Sequence, residues 1–288
     1  MSATWLITGA SRGFGRELTE QALARGDNVA ATLRRPEQLD DLAAEHGARL
    51  WVRQLDVTDT AQLEHVVLEA FTDHDRIDVA VSNAGFGVFG VAQDLTDDQV
   101  EQMIATNLTA SIQFARRVVP HLRAQGGGRL LQLSSMGGHI AFPAFSMYHA
   151  TKWGIEGFYE ALAQEVEPFG IRTTLVEPGM IRTGFYEAAT RIPVSEPYRG
   201  GPADRKPVPL EQMPGSQGKV VEAMIEAALA DDPPRRLLLG SDAYGLVTDA
   251  LNDRLSAFEQ QKAVAFSTDI AAGETSPAGR TPRAGPPR

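Results

Sequence analysis

The chain has 288 residues, 43% hydrophobic and 22% charged, which suffices for one α/β domain with a full core. Its formal net charge of −10 excludes the basic face that a nucleic-acid binder needs and points away from anionic membranes. Cysteine is absent, so disulfide scaffolds, thiolate nucleophiles and Cys-ligated zinc are excluded too.

The N-terminus enters strand-like sequence at once, "TWLIT" at 4–8, with no basic leader or long apolar segment before it. "TGASRGFG", Thr8 to Gly15, follows directly, and then a helical pattern through Leu18, Ala22 and Leu23. Glycines at such a place let the chain turn tightly and let backbone N–H groups approach a pyrophosphate at the helix N-terminus. The alternative is a Gly-rich connection with no ligand. "NVAATL" (28–33), "LWVRQL" (50–55) and "IDVAVS" (77–82) read as the next strands, and Leu63, Val66, Val67 and Ala70 mark a helix before the last of these. One long helix is expected over "TDDQVEQMIATNLTASIQFARRVVPHL". A fifth strand follows at "RLLQLS" (129–134), then a helix carrying Ile155, Phe158, Leu162 and Val166, and a sixth strand at "RTTLVE" (172–177). "RRLLLG" (235–240) is a candidate seventh.

This alternation predicts an α/β fold: a doubly wound parallel sheet of about seven strands with helices on both faces, in a single domain over 1–266. No run of 18 apolar residues occurs, so no membrane span is expected, and a cytoplasmic protein is the simplest reading. Two stretches break the pattern. Residues 184–216 carry six prolines and little periodicity, and a loop of that length suits a lid over a substrate. Residues 267–288 are small, polar and Pro/Gly-rich, as a disordered tail would be.

In "SMYHATKWG" Tyr148 and Lys152 stand four apart, on one face of the expected helix. A free phenol has a pKa near about 10 and is a poor base at neutral pH, but a nearby ammonium favours the phenolate. Such a phenol can exchange a proton with a carbonyl or alcohol oxygen while hydride moves. The chain uses 23 arginines and only four lysines, so the lysine at 152 stands out.

Three features in this order and spacing, the Gly-x-x-x-Gly-x-Gly turn, "SNAG" (82–85) and Tyr-x-x-x-Lys, resemble the short-chain dehydrogenase/reductase family over about residues 3 to 266. The resemblance implies a Rossmann-type fold and an oxidoreductase acting on a carbonyl or alcohol. By matching position, Asn107, Ser135, Tyr148 and Lys152 are the implied catalytic residues. Tyr148 is the proton donor or acceptor, Ser135 holds the substrate oxygen, Lys152 also grips the nicotinamide ribose, and Asn107 holds a water behind it. Ser134 is the neighbouring alternative to Ser135, but strand alternation turns it the other way.

The implied cofactor contacts are Gly9, Ser11, Arg12, Gly13, Phe14 and Gly15 in the turn, then Arg34, Asp56, Val57, Asn83, Ala84 and Gly85. Tyr148, Lys152, Pro178, Gly179 and Thr183 complete them. Asp56 matches a residue that meets the adenine, with a turn or N-cap carboxylate as the bland alternative. Phe14 stands where a branched aliphatic is usual, and Ser82 where Asn is common. Family NAD enzymes tend to hold Asp where Leu33 stands, and Arg34 and Arg12 suit a 2′-phosphate, so NADP(H) is the expected cofactor.

The six histidines show no ligand-like spacing, and no metal is expected. His149 reads as a bystander. His139 reads as a satisfied loop histidine, with substrate contact as its alternative. "AGFGVFG", "HIAFPAF" and "GMIRTGFYE" should border the site and are mostly apolar, which favours a hydrophobic small-molecule substrate. The helices at 97–122 and 149–168 resemble those that build family homodimers and homotetramers. A non-catalytic NADP(H)-binding sensor or scaffold is the alternative function, although such relatives usually lose the tyrosine or serine. An extended-type epimerase or dehydratase would space its glycine turn differently.

Overall fold

The computed structural model describes residues 2–270. Of these, residues 2–247 form one compact unit and residues 248–270 belong to a second. Most of the expected tail, 271–288, lies outside the described residues.

In chain order the elements are β1 (Thr4–Thr8), α1 (Gly13–Ala24), β2 (Asn28–Leu33), α2 (Asp40–His46), β3 (Leu50–Gln54), α3 (Thr60–Asp73) and β4 (Val79–Ser82). There follow β5 (Val88–Phe89), α4 (Asp97–Ile104), a π-helical turn (Ala105–Thr109), α5 (Ala110–Ala124), β6 (Gly128–Leu133) and α6 (Ser146–Val166). The remainder is β7 (Ile171–Pro178), β8 (Ile181–Arg182), α7 (Phe185–Ala188), β9 (Thr190–Arg191), β10 (Gly215–Ser216), α8 (Gln217–Leu229), β11 (Arg236–Leu239), α9 (Ser241–Gln260) and α10 (Lys262–Phe266).

Seven strands form one parallel sheet in the order β11-β7-β6-β4-β1-β2-β3, as the alternation predicts. Its five inner strands are buried on both faces, and the period of two divides their residues between two cores. In β1, Trp5 and Ile7 pack with Leu18 and Ala22 of α1 and Met224 of α8, while Leu6 packs with Leu63 of α3, Phe114 of α5 and Tyr159 of α6. Helix starts follow local chemistry. The Asp59 carboxylate accepts from the N–H groups of Ala61 and Gln62 at the head of α3, and Thr96 and Gln99 form a capping box on α4.

Three features depart from the sequence reading. The long helix expected across residues 97–122 is interrupted by the π-helical turn at Ala105–Thr109. The stretch 184–216 is not featureless, because β9 pairs with β5 and β10 pairs with β8. Helix α8 and the helices after β11 had no counterpart among the expected elements.

Candidate active site

The strand order reverses between β1 and β4, so a crevice opens beyond their C-terminal ends. Gly9 follows β1 there with φ +69°, a left-handed conformation that suits glycine. A Cβ at Gly9 would lie 2.9 Å from Ala84 Cα, and one at Gly15 would collide with Gly9 O and the Asn83 amide. The glycine turn thus packs directly on the segment after β4. Asn83 locks the two together: Nδ2 donates to Thr8 O at 2.8 Å and Gly9 O at 3.1 Å, and its N–H donates to Thr8 Oγ1 at 2.9 Å. The amide of Asn83 is spent on the turn, and the residue still lines the crevice.

A cleft of about 1360 Å³ runs from this turn across the ends of the strands. Nearly all the residues expected to hold a cofactor line it. Gly15 does not, and neither does Asn107 of the expected catalytic set. At one end stand Arg12, Arg34 and Arg35, whose guanidinium groups enter no ion pair among the described residues. Leu33, not an acid, ends β2. Asp56 lines the same end, and its Oδ1 accepts from both the N–H and the hydroxyl of Thr58. Those bonds, first the hydroxyl and then the N–H, hold its carboxyl below the usual range. Its bland alternative, a turn carboxylate, describes what Oδ1 does, while position keeps Asp56 in the cleft.

Deeper in, Ser135, Tyr148 and Lys152 converge. Ser135 follows β6 and its Oγ accepts from the Gly137 N–H at 3.0 Å. Tyr148 and Lys152 project from the first turns of α6, and the Lys152 Nζ lies 5.5 Å from the Tyr148 ring centre while donating to Leu133 O at 2.8 Å. Burial pushes the Tyr148 phenol up, and a hydrogen bond with Ser135 works the other way. Burial pushes the Lys152 ammonium down to about 8, with Glu156 opposing it. Exclusion of water penalises the charged form of both groups. Burial thus favours the protonated phenol.

Asn107 sits in the π-helical turn, fully buried. Its side chain is paired with the backbone of Phe86, just after β4, and not with Lys152. The Asn107 carbonyl accepts from the Ser111 hydroxyl at 3.1 Å.

Beneath Ser135 lies a buried polar cluster that the sequence reading passed over. Ser134 donates to Glu156, which also pairs with Arg236 of β11. Arg236 binds Glu160 and, at 2.7 Å, Glu177 of β7, while His139 Nε2 stands 3.0 Å from Glu177. His139, Glu156 and Glu177 group like metal ligands, yet the Arg236 guanidinium stands among them and offsets part of their charge. Burial and Glu177 raise the Glu156 carboxyl, and Ser134 and Arg236 oppose the rise. A signal existed in the sequence: Tyr148, Lys152, Glu156 and Glu160 recur every four residues, one stripe along α6. His149 is a tie between loops, with Nδ1 2.9 Å from Gly137 O and Nε2 accepting from the Phe142 N–H at 2.9 Å.

On the far wall, Pro178 at the end of β7 and Gly179 and Thr183 after it line the cleft. Asp242 of α9 accepts from the Met180 N–H at 2.7 Å and fixes that segment, a contact with no signal in the sequence. Thr183 Oγ1 accepts from the Phe185 N–H at 3.3 Å. Aromatic rings fill the remaining wall: Phe89 stacks on Phe145 at 4.1 Å, Phe145 on Tyr148 at 4.3 Å, and Phe185 leans on Tyr148 at 5.6 Å. The apolar border expected from the sequence is present. Among the described residues no helix is long and apolar enough to cross a membrane.

The short chain dehydrogenase family matches over residues 3–191. Oxidoreductase BOA17 of Botryotinia fuckeliana is 38% identical over 252 residues, covering 84% of this chain and 90% of that protein. The crystal structure of a short-chain dehydrogenase from Streptomyces avermitilis aligns with a TM-score of 0.85 at 34% identity, over 94% of this chain and 100% of that one. The closed form of serine dehydrogenase complexed with NADP+ aligns with a TM-score of 0.70 at 25% identity, over 82% of this chain and 94% of that one. With a glycine turn at the sheet's switch point and a Ser-Tyr-Lys group beside it, the chain belongs to the short-chain dehydrogenase family of oxidoreductases.

Proposed function

We propose that this protein interconverts a carbonyl compound and an alcohol with NADP(H), and that Tyr148 carries the proton. The observation that supports this best is that Ser135, Tyr148 and Lys152 line one cleft together with the glycine turn, the Lys152 Nζ lying 5.5 Å from the Tyr148 ring centre.

The residues present suit a dinucleotide. The glycine turn, packed on Asn83 and Ala84 through Gly9 and Gly15, lines the cleft through Gly9 to Phe14 and leads into the N-terminus of α1. Arg12 and Arg34 would meet a 2′-phosphate, and a solved relative of similar fold is complexed with NADP+. Pro178, Gly179 and Thr183 would border the nicotinamide end. Bound there, the cofactor supplies or accepts hydride.

The protein's own residues do the rest. Ser135 bonds the substrate oxygen and stabilises charge developing on it. The Tyr148 hydroxyl, kept protonated by burial, gives its proton to that oxygen in reduction and recovers it in oxidation. Lys152 places a positive charge beside the ring and keeps it in position through Leu133 O. The stack of Phe89, Phe145 and Phe185 around Tyr148 excludes water and receives an apolar body next to the carbonyl.

The test follows NADPH absorbance across a panel of apolar ketones and aldehydes. Turnover of at least one member is expected, and Tyr148→Phe should cut it about 100-fold or more while NADPH still binds. Wild-type rates in that variant would remove Tyr148 from the mechanism. NADPH binding without turnover of any carbonyl would favour a sensor of the same fold.

A further inference from the structure

We infer that the lid side of the cleft is a second anion subsite, and that the substrate is an apolar carbonyl compound with an anionic oxygen group at its far end. The inference rests on reading Tyr148 as the reacting end of the cleft.

The protein carries a net charge of −10, yet its cleft is basic. Among the described residues lining it, the one carboxylate is Asp56, and its Oδ1 is taken by Thr58. Against it stand Lys152 and two sets of arginines and lysines. Arg12, Arg34 and Arg35 belong to the end beyond β2. Arg191, Arg205 and Lys206 belong to the stretch after β8, and none of these three enters an ion pair among the described residues. A chain this acidic does not line a cleft with unpaired cations by composition alone. The first set answers a phosphate of the cofactor, and the second set has no such partner.

Arg191 is held in place. It lies on β9, where Thr190 donates to Gly87 O at 3.1 Å and Ile192 to Phe89 O at 2.7 Å. Its guanidinium sits 4.5 Å from the Phe89 ring centre and donates to Tyr186 O at 3.4 Å. Phe89 stacks on Phe145, and Phe145 on Tyr148. One continuous ring stack therefore joins the proton donor to an arginine, with apolar surface between them. A ligand that lays its apolar body along the stack brings its carbonyl to Tyr148 and its distal group to Arg191. The planar guanidinium fork suits a carboxylate or phosphate there, with Arg205 and Lys206 adding charge.

Calorimetric titration tests this with 6-oxo-6-phenylhexanoate and its methyl ester, against the full chain with and without NADP+. The acid should bind about tenfold tighter than the ester or better, and Arg191→Gln should erase that difference while leaving the ester's Kd unchanged. Equal binding of acid and ester, binding of neither, or equal loss of both in Arg191→Gln would overturn the subsite. Weaker NADPH binding in Arg191→Gln with the acid preference intact would assign the cation to the cofactor's phosphates and overturn it as well. NADPH oxidation is read separately. Acid preference without turnover supports the subsite and strikes the redox reading, and turnover without acid preference does the reverse.

Discussion

Asn107 holds Phe86 by both halves of its amide: Nδ2 donates to the Phe86 carbonyl oxygen at 2.8 Å, and Oδ1 accepts from the Phe86 N–H at 3.0 Å. The π-helical turn brings this side chain to the segment after β4, where Gly85 and Phe86 line the cleft. A Cβ on Gly85 would stand 3.3 Å from Asn107 Oδ1, so the approach is close.

This pairing makes Asn107→Asp informative, since the change is nearly isosteric. A carboxylate cannot donate to Phe86 O, and it would face that oxygen in a buried place. Loss of the bond with a buried acceptor left unpaired costs about 1–3 kcal/mol. The unfolding midpoint in urea should fall at unchanged slope, and NADPH affinity should fall with it as the cleft wall loosens. A midpoint equal to wild type would show that the pairing does not hold the segment.

The pH dependence follows from Lys152. Burial pushes its ammonium down to about 8, and the Glu156 carboxylate opposes this. In the proposed mechanism the lysine acts as a cation, so kcat/KM for reduction should decline above pH about 8. A free lysine would sustain it to about 10.4. Glu156→Gln keeps an acceptor for Ser134 but removes a negative charge that favours the ammonium, so the decline should begin at lower pH. Movement to higher pH, or none, in a kcat/KM profile would contradict this coupling. For folding the sign is also set. The unfolded chain holds the Lys152 proton between about 8 and about 10.4 when the folded one does not, so this residue alone makes the fold more stable as pH rises through that window.

Much of the fold was readable because its signals are local. Buried parallel strands such as β4 and β6 appear as short apolar runs, and the Gly9–Gly15 turn sits between a strand and a helix. What escaped depends on tertiary contact. The two-residue pairings of β5 with β9 and β8 with β10 carry no periodicity, and the π-helical turn around Asn107 looks like ordinary helix in sequence. Ser135, Tyr148 and Lys152 of the expected group meet in the cleft, whereas Asn107 stands behind it with its amide on Phe86, a pairing that no local pattern announces. Glu156 shares the helical stripe of Tyr148 and Lys152, so it was visible in the spacing, whereas Arg236 reaches it from the last strand of the sheet and was not.

Cofactor choice is the most direct prediction at the other end of the cleft. Arg12 and Arg34 stand there without ion pairs, Leu33 ends β2, and Asp56 has Oδ1 occupied by Thr58. A 2′-phosphate gains charge-assisted bonds from two guanidinium groups, and a bare 2′-hydroxyl finds no free acid at the end of β2 to accept from it. NADPH should therefore outperform NADH by at least about tenfold in kcat/KM, which is about 1.4 kcal/mol. Arg12→Gln with Arg34→Gln should take most of that advantage from NADPH and leave NADH within about twofold, since NADH never engaged those charges. Both groups are exposed, so the KM for NADPH should also rise with salt in the wild type and rise less in the double variant. Parallel losses with the two cofactors would mean that the arginines support the turn itself, and equal wild-type rates would remove the phosphate from their account altogether.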